Sequence, residues 1–413
     1  MIETTPRRVV LAGAFDTKHQ EYGYVRDRLA AAGVGSLLVD FGVQGSPGIR
    51  PDIGREAVAK AGGSDIGTLV RDGDRNAAMI VMGRGAAAEI RRLHERGEVT
   101  GVMVLGGSNA GYAMSRIADA LPFGCPKLLV STIVAGDTRP YVGTSDLTMM
   151  YPVVDIAGLN SISIPVLAHA ADALAGMVTG PPTGGATDVR SIGASMFGVT
   201  TACVSAVRDT MEGDGHEVHV FHANGTGGRS LEAMIRSGVF AAVADVTTTE
   251  LADELLGGVC SAGPHRLEAA AETGTPQVVS VGALDMVNFG APDTIPEYFA
   301  GRLLHAHNPV VTLMRTSAEE CAELGGILAG KLNAGSGFTE VLIPARGFSQ
   351  ISVAEAPFHD ADADAALIDS LRSRLDDRIP LHILDLTIND PRFADEVTQS
   401  LCRALSPMKG TYA

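Results

Sequence analysis

The chain has 413 residues, 46% of them hydrophobic, enough to bury a large core in two or three domains. Its formal net charge is −16 and no basic stripe runs along it, which speaks against nucleic acid as a general partner. No apolar stretch approaches the roughly 20 residues of a membrane span, and five scattered cysteines without a Cys-x-x-Cys pair argue against a zinc knuckle or a disulfide framework.

The polar residues 1–8 carry no signal-peptide pattern, so the cytoplasm is the expected compartment. A β-branched run at 8–13 opens the chain, followed by a helical pattern over 21–32 and a second strand-like run at 36–41. Helices are predicted at 53–61, 75–96 and 112–120, and strands at 101–105, 127–131 and 151–156. Short, nearly continuous apolar strands alternating with helices imply a parallel sheet covered on both faces. The stretch TGPPTGGATDVR at 179–190 reads as a linker. The rhythm then restarts with strands at 191–197, 217–222, 240–245, 277–281, 340–343 and 381–386. Helices fall at 202–211, 231–237, 318–332, 363–375 and 391–405. The fold class predicted is α/β. Two Rossmann-like doubly wound domains, 1–180 and 190–413, are expected to have a cleft between them.

In open parallel sheets, ligands bind beyond the carboxyl ends of strands, so the residues after each strand carry the functional information. The first loop is Gly13-Ala14-Phe15-Asp16-Thr17-Lys18. Asp16 and Thr17 suit a ribose hydroxyl, a metal-bound water or a phosphate, and Lys18 a phosphate charge. Capping of the next helix by Asp16 or Thr17 accounts for the same residues. LGGSNAG at 105–111 precedes a helix whose dipole favours an anion. Thr132, Gly136 and Ser145 belong to a third cluster of small hydroxyls and carboxylates, which Ser/Thr and Asx turns also explain.

In the second half, His222-Ala223-Asn224-Gly225-Thr226-Gly227-Gly228-Arg229 follows a strand and opens a helix, as a second anion cradle would. Should the strand ends converge, His222, Glu250, Asp285 and His305 would share one polar pocket able to move a proton. Arg229 would pair an anionic group of a substrate. His305 and His307 would meet on one face of a strand, but the spacing specifies no metal site.

At these loops the sequence resembles the Tm-one-like ATP-binding family. The carriers are GAFDTK at 13–18, LGGSNAG at 105–111, GTSDL at 143–147, MFGVTTACV at 196–204, VFHANGTGGR at 220–229, DVTTTELAD at 245–253, SVGALDMVNFG at 280–290 and LMRT at 313–316. The resemblance implies ATP with Mg2+ in the N-terminal domain and a homo-oligomeric assembly. It selects Asp16, Thr17, Lys18, Gly106, Gly107, Ser108, Thr132, Gly136 and Ser145 as nucleotide contacts. The function expected is an ATP-dependent enzyme acting on a small anionic metabolite, with His222, Glu250, Asp285 and Arg229 as its catalytic set. Two alternatives stand beside it. One is a nucleotide-dependent binding or regulatory protein without turnover. The other is a hydrolytic or aldol-type enzyme that needs only the second-half histidines and carboxylates.

Overall fold

The computed structural model describes residues 8–180 and 191–406, so the expected linker lies almost wholly outside the described residues. The chain divides into two compact units between Gly185 and Ala186.

The first unit runs β1 (Arg8–Gly13), α1 (His19–Ala31), β2 (Gly35–Asp40), α2 (Arg55–Ala61), α3 (Ile66–Asp72), α4 (Arg75–Glu95), β3 (Val102–Gly106), α5 (Ser108–Ala120), β4 (Lys127–Ser131), α6 (Arg139–Val142), β5 (Thr148–Met150) and α7 (Ser163–Thr179). Its five strands are parallel, in the order β2-β1-β3-β4-β5. Side chains alternate across the sheet. Val10, Ala12, Val102 and Val104 pack with residues of α2, α4 and α5 on one face. On the other face, Val9, Leu11, Met103 and Leu105 pack with α1 and α7. Both faces are dry, which is why the strands read as unbroken apolar runs. Truncating a fully buried side chain such as Leu11 to alanine would cost about 2–5 kcal/mol.

The strand expected at 151–156 is a correction: the chain pairs at Thr148–Met150 against Leu128–Val130. Pro152 lacks the N–H that a ladder needs, and the strand ends before it.

The second unit runs β6 (Ser191–Met196), α8 (Thr201–Gly213), β7 (Glu217–His222), α9 (Thr226–Arg236), β8 (Ala242–Thr247), α10 (Glu250–Leu256), α11 (Ala269–Thr273), β9 (Gln277–Gly282), β10 (Met286–Phe289), β11 (Leu304–Asn308), β12 (Val311–Arg315), α12 (Ala318–Asn333), β13 (Thr339–Pro344), α13 (Ala361–Arg374), β14 (Leu381–Leu384) and α14 (Pro391–Leu405). Six strands form a parallel sheet ordered β14-β13-β9-β8-β6-β7, so the second unit repeats the 2-1-3-4-5 winding of the first and adds one strand. Between β9 and α12 the chain inserts a three-stranded antiparallel sheet, β10-β12-β11, whose first strand falls in the stretch 282–290 expected as a loop. The fold is thus α/β, with two Rossmann-like parallel sheets. Among the described residues no helix is long and apolar enough to cross a membrane.

Candidate functional site

In the first sheet the chain moves outward from β1 to β2, then crosses back to β3. The loops after β1 and β3 therefore diverge and leave a crevice at the strand ends. Tyr22 of α1 fixes its floor. The Tyr22 hydroxyl accepts the Leu105 amide at 2.7 Å and hydrogen-bonds the Ala12 carbonyl, tying the ends of β3 and β1 together. A Cβ on Gly13 would stand 2.2 Å from the Tyr22 ring, so this glycine is required by packing rather than by a ligand. Gly106 has φ +147°, a conformation open to glycine, and turns the chain from β3 into α5.

Two adjoining hollows occupy the crevice. The smaller, about 140 Å³, is lined by Asp16 and Thr17 after β1, by residues 41–44 after β2, and by Arg75, Met79 and Asn109. The larger, about 540 Å³, shares Arg75, Met79 and Asn109 and adds Ser108, Ile80, Tyr112 and Tyr141. Arg75 is the first residue of α4, presented by the Asp74 carboxylate, which caps the Asn76 and Ala77 amides at 2.9 and 3.0 Å. Among the described residues its guanidinium has no protein partner. No side chain caps α5 at Gly107, so its first turn faces the larger hollow through Ser108 and Asn109.

The structure brings Asp16, Thr17 and Ser108 to these hollows, with Gly106 and Gly107 forming the turn beside them. It sends other selected residues elsewhere. The Lys18 ammonium donates to the Ile156 carbonyl and lines neither hollow. Neither hollow is lined by Thr132, Gly136 or Ser145. The Ser145 hydroxyl reaches its neighbour Asp146 at 3.4 Å, and Asp146 in turn pairs with the buried Lys127. Asp16 does not cap α1. Its carboxylate accepts the Gln44 and Gly45 amides at 2.9 and 3.2 Å and so joins the loops after β1 and β2. Asp40 braces the same corner by accepting the Phe15 and Gly42 amides, and burial raises its pKa.

The second unit handles its anion cradle differently. Glu250 is fully buried, and its Oε1 accepts the amides of Gly225 at 2.7 Å and Gly228 at 3.0 Å. The N-terminus of α9 thus already holds a carboxylate. Arg266 donates to Glu250 Oε2 at 2.6 Å and to both oxygens of Asp245, and reaches Glu232 at 3.2 Å. Burial pulls the Arg266 pKa down, but Asp245 and Glu250 more than offset it, so the guanidinium stays charged. Three carboxylates on one buried guanidinium form a structural hub, and Glu250, expected as a base in a polar pocket, is one of them.

The expected pocket of His222, Glu250, Asp285 and His305 does not form. Asp285 is fully buried near Arg315 and accepts the Ser349 hydroxyl at 2.7 Å, and burial pushes its pKa up to about 6. His305 lies near the Phe358 ring, 6.1 Å between centroids. Arg229 donates to the Ser261 carbonyl and the Thr226 hydroxyl, both at 3.2 Å. His222 lines a hollow of about 310 Å³ that it shares with Phe197, Asn288 and His307. Behind Asn288 sits Asp253, whose pKa burial raises to about 7. Arg75, Arg266, Asp253 and Asn288 escaped the sequence reading. Arg75 had a signal, an Asp-Arg pair opening a long helix, but Arg266 sits in an irregular loop with none. Among the described residues no group of three or more His, Cys, Asp or Glu is placed to hold a metal ion.

Comparison with known proteins agrees with the two-unit fold. The N-terminal domain profile of "Uncharacterised protein family (UPF0261)" matches residues 7–183, and its C-terminal domain profile matches 190–405. A UPF0261 protein of Clostridium tetani is 44% identical over 396 residues, covering 96% of this chain and 98% of its own. A Rhizobium meliloti relative is 43% identical over 391 residues, covering 94% of this chain and 97% of its own. The ToMV resistance protein Tm-1(GCR237) of Solanum lycopersicum is 39% identical over 333 residues, 79% of this chain but 44% of the tomato protein. The chain belongs to the UPF0261 family, and the tomato Tm-1 proteins are among its relatives.

Proposed function

We propose that the N-terminal unit binds ATP as its magnesium complex, in the crevice beyond β1 and β3. One contrast carries this reading. The two units share a winding order, and each has a glycine-rich loop leading into a helix. In the second unit the helix N-terminus is filled by Glu250. In the first, α5 has no side-chain cap and opens on a hollow of about 540 Å³. A helix N-terminus carries about half a positive charge, suited to a phosphate. Arg75, unpaired among the described residues, would add a full charge. Met79, Ile80, Tyr112 and Tyr141 offer an apolar and aromatic wall for a base. Asp16 holds the loop beside the phosphate side. Magnesium would arrive with the phosphates, since it is commonly bound through one or two carboxylates plus phosphate oxygens.

The test is titration calorimetry of the full chain with ATP, with and without magnesium. Saturable binding that weakens at least tenfold in Arg75→Ala supports the site. Absence of binding, or an unchanged affinity in Arg75→Ala, removes it.

A further inference from the structure

The cavity beside His222 has features that a nucleotide site does not explain. It lies within the second unit, at the ends of β6 and β7 and against the antiparallel sheet. Its walls are mainly apolar: Phe197, Val199, Val259, Val311 and Leu313. At about 310 Å³ it stands at the small end of ligand pockets, which run from about 300 to 1,000 Å³. A single ring with a short substituent fills such a space.

Two details narrow the chemistry. The His222 imidazole stacks on the Phe197 ring, centroids 5.2 Å apart and planes 22° from parallel, which makes a flat aromatic edge to the cavity. At the buried end, Asn288 is only 1% exposed. Its Nδ2 donates to Asp253 Oδ2 at 2.8 Å, which fixes the amide, and its buried Oδ1 has no partner among the described residues. An orphaned buried acceptor costs about 1–3 kcal/mol, so a ligand that brings a donor recovers that loss on binding. Leu313 pairs across the sheet with Asn288 and lines the cavity with it, so both stand on one face of the insert. His222 and His307 are exposed and line the cavity, and among the described residues neither imidazole hydrogen-bonds to protein.

We propose that this cavity is a second ligand site, for a small planar aromatic molecule that directs an O–H or N–H donor at Asn288 Oδ1. The apolar walls hold the ring, and the two imidazoles receive a polar substituent at the mouth. The antiparallel insert then has a purpose, because β10, β11 and β12 all contribute to the walls. This proposal stands apart from the nucleotide site, which lies in the other unit.

The probe is 4-methoxyphenol, compared with 4-fluoroanisole, which keeps the ring and the methoxy group but carries no donor. Binding to the full chain is followed by ligand-observed NMR at pH 8, where Asp253 is ionised and holds the Asn288 amide. The hydroxyl probe should bind at least fivefold more tightly than the fluoro probe. Gly198 lines the cavity, and a Cβ added there meets nothing within 4 Å, so Gly198→Leu should fill the space without disturbing the fold. That variant should lose probe binding while its ATP titration matches the parent. Should Gly198→Leu fail to fold, His222→Ala serves instead, with at least a fivefold loss expected from the missing stack. Equal affinity for the two probes, no binding of either, or binding unchanged in the folded variant would overturn the proposal.

Discussion

Glu250 Oε1 accepts the Gly228 amide at 3.0 Å, and a Cβ at position 228 would stand only 2.0 Å from Glu250 Oε2. The two residues are fitted to each other, and the glycine-rich loop of the second unit is a socket for the protein's own carboxylate. Glu250→Gln would turn an N–H donor toward the Arg266 guanidinium, and Gly228→Ala would overpack the socket. Each should destabilise the chain by about 1–3 kcal/mol, read as a lower urea midpoint. Unchanged midpoints in both variants would mean that the socket is not formed.

The same logic separates two cations of the first unit. Arg75 borders both hollows, whereas the Lys18 ammonium is turned to the Ile156 carbonyl. Arg75→Ala should weaken ATP by tenfold or more, in line with about 1.5–3 kcal/mol for a hydrogen bond to a charged group. Lys18→Met should change ATP affinity by less than twofold in the same calorimetric titration. A reversed order of effects would relocate the phosphates.

What Glu250 does for α9 can be imitated at α5. Ser108→Asp places a carboxylate in the uncapped first turn. It should stabilise the ligand-free chain by about 0.3–1 kcal/mol through the helix dipole, while lowering ATP affinity at least tenfold by repulsion. A higher melting temperature together with weaker ATP binding is the expected signature. Weaker binding without stabilisation would point to simple obstruction.

The strands and their loops were legible because each buried strand leaves an apolar run ended by glycine or a small polar residue. Residues 101–105 and 127–131 are such runs and became β3 and β4 within a residue. β10 was not legible. Asn288 interrupts its apolar pattern, and a four-residue strand has too few positions to show alternation. The site was half legible for a related reason. Asp16 and Ser108 directly follow strands, where loop reading looks for them. Arg75 reaches the crevice from the start of a helix, and only the packing of α4 against α5 shows it. Glu250 was singled out because it follows an apolar strand, but as a base; that it serves a buried ion cluster was not legible, because its partner Arg266 lies in a loop that no periodicity marks.

Burial sets a pH dependence. Burial raises the Asp253 pKa from 3.8 to about 7, so the folded state holds a proton that the unfolded chain releases. Stability from this group is complete below about pH 4 and falls as pH rises through about 7. Asp285, raised to about 6, acts in the same direction. Asp253→Asn should flatten the loss, on the order of a few kcal/mol, in urea midpoints taken from pH 4.5 to 8. A turn of the Asn288 amide accommodates the variant, bringing its unpartnered Oδ1 to the new N–H. A parent slope retained in Asp253→Asn would assign the titration elsewhere.

The hub around Arg266 also governs the segment between α10 and α11, residues 257–268, which has neither helix nor strand. Segments of this kind are ordinarily the first to open and be nicked. Here the Val259 amide is held by the Asn288 carbonyl and the Cys260 amide by Asp253. Glu232 receives the amides of Leu267 and Ala269, each at 2.8 Å. Glu232 is also a partner of Arg266, so the bonds to Leu267 and Ala269 cannot open without disturbing the ion cluster. The Leu267 and Ala269 amides should therefore exchange as slowly as those of the central strands. Leu267 and Ala269, although outside any long helix or strand, become reporters of the whole unit's unfolding.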